Sequence, residues 1–443
     1  MADARPFHWE YHPEQPAPEA FRIEGGRPLR GTVGVSGAKN AALKLMAAAV
    51  LTGERCRFEN MPEIEDVRVM AEVLTDLGVV VDHPAPGIYE VAAGDVDWKF
   101  VPLEAAAKMR ASFILLGPLL SRFGNVIISN PGGDRIGRRP VNLHVDAMRA
   151  LGADIAYRNG YYFAQSPGRL RGGDVLFPFV TVMGTENAML AACLAEGTTT
   201  IHPAAQEPEV DDLIAFLVKM GAEVERTAPD TIVVQGKRRL RGATHSVVPD
   251  RIETGTFLVA AAVTGGHLIL ENAPCQHVEA LIEVLGKVGV PVACGDRTIE
   301  VDATGLRPGD LRAVDIETAP YPRLATDLQP NLCVLLTQAD GTSHVHEAIF
   351  EDRLEWMTEL RKLGAMVEIE DPHHASIHGP ARLHGGEASI GDLRAGASLI
   401  LAALAAEGTS IIHGAHHVQR GYENIDRKFG QLGASITRSA DPT

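Results

Sequence analysis

Cysteine is scarce in this chain of 443 residues, and Cys56, Cys193, Cys275, Cys294 and Cys333 lie far apart with no C-x-x-C pair. That spacing argues against a disulfide framework and a zinc knuckle, and it fits a reducing compartment. Long apolar runs are also missing: the longest, Ala397 to Ala406, is far short of the ~18 residues that a membrane-spanning helix needs. A soluble chain with no membrane partner is expected. The first twenty residues lack the apolar run of a secretory signal and read as a flexible, Pro-rich tail over 1–20, so a cytoplasmic location is expected. Basic charge is in deficit, with 41 Lys and Arg against 57 Asp and Glu for a formal charge of −16. No nucleic-acid partner is expected, although local arginine clusters could still receive a small anion. Without a Walker A lysine loop or a strand-borne G-x-G-x-x-G, nucleotide hydrolysis and nicotinamide chemistry are not expected either. His373/His374, His416/His417 and His344/His346 come with no matching ligand set, so no metal is expected.

What is present is an ordinary globular composition, 45% hydrophobic and 22% charged, in a chain long enough for two or three domains. A hidden repeat organises it. An Ala/Leu-rich stretch, a Gly turn, a β-like run, a polar connection, a helix-like stretch, a glycine and a second β-like run recur six times. The closing glycines, Gly78, Gly152, Gly221, Gly289, Gly364 and Gly433, stand 68 to 75 residues apart. The turn glycines Gly53, Gly124, Gly197, Gly265, Gly341 and Gly408 precede them by 23 to 28. A unit of about seventy residues is too small to bury a core comfortably alone, so three units per domain and two similar α/β domains are expected. The most apolar segments, Ala41 to Leu51, Phe257 to Val263 and Leu399 to Ala406, are helix-like, which places helices inside and sheets outside.

Function has to come from residues that break the repeat. In Ser36 to Lys44, SGAKNAALK, a small-residue turn carries Lys39 and Asn40 into an apolar helix; a cation at the positive end of a helix either bridges an anion or is a solvated surface lysine. Asn130 to His144, NPGGDRIGRRPVNLH, joins a Pro-Gly-Gly turn to Asp134 and three arginines. It is either an anion-binding loop or a solvated hairpin. Asp327, Arg353, Asp392, Arg394 and Arg420 are each unremarkable alone, because a lone Asp is commonly an N-cap and a lone Arg a surface ion pair. In the repeat register, however, Arg353 and Arg420 occupy the same strand-to-helix connection as Asp134 and Arg139. Should those connections converge, the cleft would suit a small polyanion.

These motifs, with MRAS (Met109 to Ser112), EPEVDDL (Glu207 to Leu213), PDRIETGTF (Pro249 to Phe257), TDLQ, IFEDR, DLRAGASL and RGYENI, resemble the UDP-N-acetylglucosamine enolpyruvyl transferases, in the superfamily of the shikimate-phosphate enzyme, from about Phe21 to Ile436. The resemblance implies two inverse α/β domains, each of three βαβαββ repeats with helices inside and sheets outside. Domain I would cover 39–248 and carry the Asp134 loop; domain II would combine 21–38 with 249–443. It also implies transfer of the enolpyruvyl group of phosphoenolpyruvate (PEP) to the 3-hydroxyl of UDP-N-acetylglucosamine, with phosphate released and PEP as co-substrate rather than any cofactor. Lys39, Asp134, Asp327 and Arg420 would be catalytic, with Asp327 as base. Lys39, Asn40, Arg139, Arg353, Arg394 and Arg420 would bind PEP. Asn40, Arg110, Arg139, Pro140, Val141, Asn142, Leu143, Asp327 and Ile349 would bind the uridine nucleotide.

Departures fall mainly on the acceptor side. Met183 stands where the family has glycine beside the diphosphate, Ile114 where an aromatic is common, and Asn142 replaces an acidic residue. A relative acting on UMP or another uridine nucleotide, as in nucleoside-antibiotic pathways, is therefore an alternative, with a non-catalytic nucleotide-binding paralogue below it. Asp134 replaces the usual loop cysteine; a carboxyl can move a proton as a thiol does but is a poor epoxide target, so resistance to fosfomycin is expected.

Overall fold

The structure, a computed structural model, describes residues 19–94, 96, 99–133 and 136–440. Among the described residues, six sheets, five of four strands and one of five, share one wiring. In the first, Arg55–Glu59 pairs in parallel with Thr244–Ser246 and antiparallel with Ile88–Ala92, which then pairs with Val80–Ala85. The sheets built on Asn125–Ser129, Thr198–His202, His267–Glu271, Ala339–His346 and Thr409–His413 repeat that order. Two are completed from the start of the described chain: Glu19–Glu24 inserts beside Thr409–His413, and Arg30–Gly34 forms the parallel edge beside His267–Glu271. The tail expected over 1–20 lies outside the described residues as far as 18, while Glu19 and Ala20 already pair in a strand.

The spacing of the repeat has a backbone cause. All six closing glycines adopt φ between 88° and 104° at the turn from helix to strand, a region that side-chain-bearing residues rarely visit. Each unit also contributes one inner helix: α1 (Lys39–Ala48), α2 (Leu116–Phe123), α3 (Val182–Ala192), α4 (Arg251–Thr264), α5 (Gln329–Leu336) and α6 (Leu393–Ala405). Every residue of α4 from Arg251 to Ala262, and of α6 from Leu393 to Leu404, is buried. A helix apolar on all sides has nowhere to go but the interior, and the sheets therefore close around it. Small residues bring the inner helices close: a Cβ on Gly117 of α2 would lie 2.4 Å from Asn187 Oδ1 of α3, whose side chain accepts the Gly117 N–H.

Two apolar cores result. One draws on residues 38–247 and contains α1 to α3; the other draws on 21–35 and 252–432 and contains α4 to α6.

One expectation is overturned. Cys275 and Cys294 form a disulfide, with Cα atoms 5.9 Å apart, while Cys56, Cys193 and Cys333 are free and buried. Sequence spacing hides the pair because Cys275 follows the strand His267–Glu271 and Cys294 ends Val292–Cys294, and only sheet pairing brings those ends together. The bridge closes a loop whose cross-link is worth up to about 3 kcal/mol by loop entropy.

The seam between the cores is held by Asp250. Its Oδ1 caps α4 by accepting from Ile252 N (2.7 Å) and Glu253 N (3.1 Å), and its Oδ2 accepts from Lys39 N, the first N–H of α1, at 3.1 Å. One carboxylate thus starts one helix in each core. Replacing Asp250 by Ala should lower unfolding stability by about 2 kcal/mol, given that a single lost cap typically costs ~1, and Asp250→Asn should cost less; urea denaturation of the two variants measures both.

Candidate active site

The first turn of α1 is set by its entry. Ser36 to Ala38 runs along the seam, with Ala38 N donating to Val248 O (2.7 Å) and Asp250 N to Ser36 O (2.9 Å). Gly37 is demanded there, because a Cβ would fall 1.8 Å from the Asn60 carbonyl oxygen. The chain then delivers Lys39 to the interface of the two cores. Its Nζ lies 2.8 Å from Asp66 Oδ2, and Arg420 Nε, from the far end of the chain, lies 3.0 Å from Asp66 Oδ1. The two candidate phosphate ligands are therefore brought together by a carboxylate that sequence reasoning did not single out. Burial pulls the Lys39 ammonium below its ordinary value; Asp66 opposes this, and the guanidiniums of Arg394 and Arg420 add to it. Burial pushes the Asp66 carboxyl up, but Lys39 and Arg420 outweigh it and hold Asp66 below the usual carboxylate range.

A second cluster is built around Asp327, at the turn that enters α5. Arg353 Nη2 approaches its Oδ1 at 3.1 Å and Arg394 Nε its Oδ2 at 3.2 Å. Desolvation raises the Asp327 carboxyl, yet Arg394, Arg353, Arg251 and Lys39 together hold it far below its ordinary value. The clusters therefore feel one another across one cleft. Among the described residues, Arg353 Nε and Arg394 Nη1 are buried donors without a hydrogen-bond partner. Unsatisfied buried donors on two adjacent guanidiniums call for an anionic ligand. Asp392 takes the plainer role open to it: it caps α6, accepting from Arg394 N at 2.9 Å and Ala395 N at 3.1 Å.

Arg251, at the start of α4, extends the array. It pairs with Glu209 at 3.0 Å and lies 5.5 Å from the centre of the Tyr321 ring. On the other side of the cleft, residues 136–138 meet the second core, where Arg138 N donates to Glu351 Oε1 (2.9 Å) and Asp352 N to Ile136 O (3.3 Å). The Arg139 guanidinium lies 5.5 Å from the Phe350 ring centre, and the Arg139 carbonyl accepts from Arg110. Burial, with the nearby Arg139 charge, lowers Arg110 to about 10. Val141 is buried, Leu143 half-buried, and Pro140 and Asn142 exposed at the head of the helix Asn142–Ala150. Asn40 is half-buried in the first turn of α1. Asp134 lies outside the described residues. The N–H of Ile349 is already engaged by Glu347 Oε1 at 2.9 Å.

Four residues escaped sequence reasoning. Asp66 looks like any acid in a first helical turn, Arg251 and Glu209 sit in motifs that carried resemblance without a role, and Glu347 has no motif of its own. Glu347 is fully buried and takes hydrogen bonds from Thr318, Thr326, Ile349 and Phe350, which shapes the turn leading to Arg353. A signal existed for Asp66 alone: it opens the helix that follows the same strand-to-helix connection as Arg353 and Arg420.

Comparison with known proteins points the same way. Residues 23–429 match the family model described as EPSP synthase (3-phosphoshikimate 1-carboxyvinyltransferase). The chain is 44% identical over 420 residues to a UDP-N-acetylglucosamine 1-carboxyvinyltransferase of Shewanella denitrificans, covering 95% of this chain and 99% of that one. It is also 44% identical over 431 residues to a protein of the same name from Paramagnetospirillum magneticum, covering 96% and 99%. Among solved structures, the enolpyruvyl transferase NikO from Streptomyces tendae superposes with a TM-score of 0.86 at 26% identity, over 96% of this chain and all of that one. EPSP synthase from Acinetobacter baumannii, at 20% identity and a TM-score of 0.74 over 95% of this chain and all of that one, shares the fold.

The charge clusters set the acid response. A carboxylate held below its unfolded value stabilises the fold above that value, ~3.9 for Asp, and the contribution is lost as pH falls through the lowered native value. Stability should therefore drop as pH is taken from about 5 to 3, and Asp66→Asn should make that drop shallower by close to one proton; urea titrations at stepped pH measure the slope.

Proposed function

The chain belongs to the EPSP synthase family of 1-carboxyvinyltransferases, and from that premise and the geometry of its cleft we propose how it moves the enolpyruvyl group of PEP onto the 3-hydroxyl of UDP-N-acetylglucosamine and releases phosphate. The observation that carries the reading is two separate pairs of cations: Lys39 and Arg420 around Asp66, and Arg353 and Arg394 around Asp327, the latter pair with unused donors. PEP carries two anionic groups on a three-carbon frame. Its phosphate would take the place of Asp66 between Lys39 and Arg420, and its carboxylate would turn Arg353 and Arg394 away from Asp327.

That exchange has a chemical consequence. Pinned by two guanidiniums, Asp327 is a poor base; once the donor carboxylate competes for them, its affinity for a proton rises. The acceptor hydroxyl then gives its proton to Asp327 as its oxygen bonds to carbon 2 of PEP, while carbon 3 gains a proton from an acid. Asp134 is the residue we assign to that acid, by resemblance. In the second half the carbon–oxygen bond to phosphate breaks, carbon 3 gives its proton back, and the double bond is restored. Lys39 and the arginines neutralise charge throughout in a site screened from water. We assign Asn40, Arg110, Arg139, Pro140, Val141, Asn142, Leu143 and Ile349 to the uridine nucleotide, and take 39–248 and 21–38 plus 249–443 as the two bodies that close on it. The reaction commits a nucleotide sugar to peptidoglycan synthesis. We place it in the cytoplasm, where PEP and nucleotide sugars are made; among the described residues no helix is long and apolar enough to cross a membrane.

Met183, half-buried near the start of α3, keeps UMP as a second acceptor to test. Phosphate release from PEP with UDP-N-acetylglucosamine but not UMP supports the assignment, and the reverse pattern overturns it. Asp327→Asn should lower kcat at least about 10³-fold while PEP binding persists; retained turnover removes Asp327 as base. With Asp134 in the loop, fosfomycin should leave activity intact after prolonged incubation, and an adduct on Asp134 in the mass spectrum would contradict this.

A further inference from the structure

Deep in the first core, α1 and α3 carry a pair of opposite charges for which the reaction above has no use. Lys44 Nζ lies 3.3 Å from Glu186 Oε2, with side-chain exposures of 5% and 0%. Nearby positions on the two helices include the buried apolar residues Ala41, Leu45 and Ala48 on one and Met189 and Leu190 on the other. Among the described residues, neither carboxylate oxygen of Glu186 has a hydrogen-bond partner. Burial raises its carboxyl to about 7, against the pull of Lys44, with Glu209 and Glu207 adding to the rise. A half-satisfied buried pair is less favourable than apolar side chains of similar volume, so packing alone gives no reason for it.

The second contact of Lys44 gives one. Its side chain leans back toward the helix start, as helical side chains do, and the ammonium donates to the Asn40 carbonyl at 2.6 Å. That carbonyl belongs to the first turn of α1, whose N-cap Ala38 offers no side-chain acceptor and whose leading N–H is held from the other core by Asp250. The turn carries both Lys39 and Asn40 into the cleft. An ammonium bonded to it, itself tethered to α3, gives the turn a second hold besides Asp250.

We propose that Lys44 and Glu186 form a positioning pair, in which Glu186 anchors the Lys44 ammonium and that ammonium holds the first turn of α1, and with it the reach of Lys39 and Asn40 toward the donor phosphate. The proposal rests on the assignment of Lys39 to PEP. Its test uses the full chain with Lys44→Met and Glu186→Leu together, which exchanges the pair for apolar side chains of comparable size. The double variant should melt at or above the parent temperature. Amide hydrogen exchange at residues 40–43 should nevertheless quicken about 10-fold, and KM for PEP should rise about 10-fold with kcat changed far less. Unchanged exchange and unchanged KM in the folded double variant overturn the proposal. If that variant fails to fold, Glu186→Gln, which keeps shape and removes the charge, supplies the same two readouts. A parent protein that releases no phosphate from PEP with any uridine nucleotide defeats the functional reading, and exchange at 40–43 then decides the positioning role by itself: quickened exchange upholds it and unchanged exchange refutes it.

Discussion

Five cations in one poorly hydrated cleft repel each other, and three carboxylates make that crowding tolerable. Asp66 takes Lys39 and Arg420, Asp327 takes Arg353 and Arg394, and Glu209 takes Arg251. Coulomb repulsion between close like charges amounts to several kcal/mol wherever water is scarce, so such an array persists only with internal counter-ions. The same counter-ions set the spacing. Held in this way, the cations are already placed, and preorganised charge limits the reorganisation that a reaction beside them requires.

The repeated fold explains how one cleft collects these groups. In the repeat a strand leaves its sheet and is joined by a polar connection to an outer helix, and several of these connections reach residues of the other core. Asp66 opens the outer helix after the first connection, residues 136–141 lead into the outer helix of the second, and Glu207 and Glu209 stand at the third. Arg353 and Arg420 belong to the fifth and sixth. The inner helices add their leading residues, Lys39, Arg251 and Arg394, to the same place. A geometry made for packing has become a means of gathering charge: sheets cover the outside, and the inner helix starts that meet near the seam are free to carry chemistry.

The seam itself is economical in covalent terms and dense in polar ones. Asp250 serves a helix on each side, and Lys428 reaches Ser36 Oγ at 2.7 Å and Glu253 Oε1 at 2.5 Å, tying the last outer helix to the entry of α1. Tyr422, two residues beyond Arg420, shares a hydrogen bond with Thr256 of α4 at 2.9 Å and packs its ring 5.5 Å from the Arg394 guanidinium. Arg394 is thus fixed by buried neighbours rather than left on a flexible stem.

The sequence alone determined the repeat, the inward helices and the family. The closing glycines are legible because a positive φ admits little else, and the inner helices because a segment apolar on every side cannot face water. Lys39, Asp327, Arg353, Arg394 and Arg420 were legible through motifs that stand in order along the chain. Only the tertiary structure decided which charges meet. Asp66 and Arg420 are 354 residues apart, Arg251 and Glu209 are 42 apart in different motifs, and Cys275 finds Cys294 through sheet pairing. Local patterns report what each segment does with its own backbone and its own apolar face, whereas an ion pair between distant segments depends on how six units close around two cores.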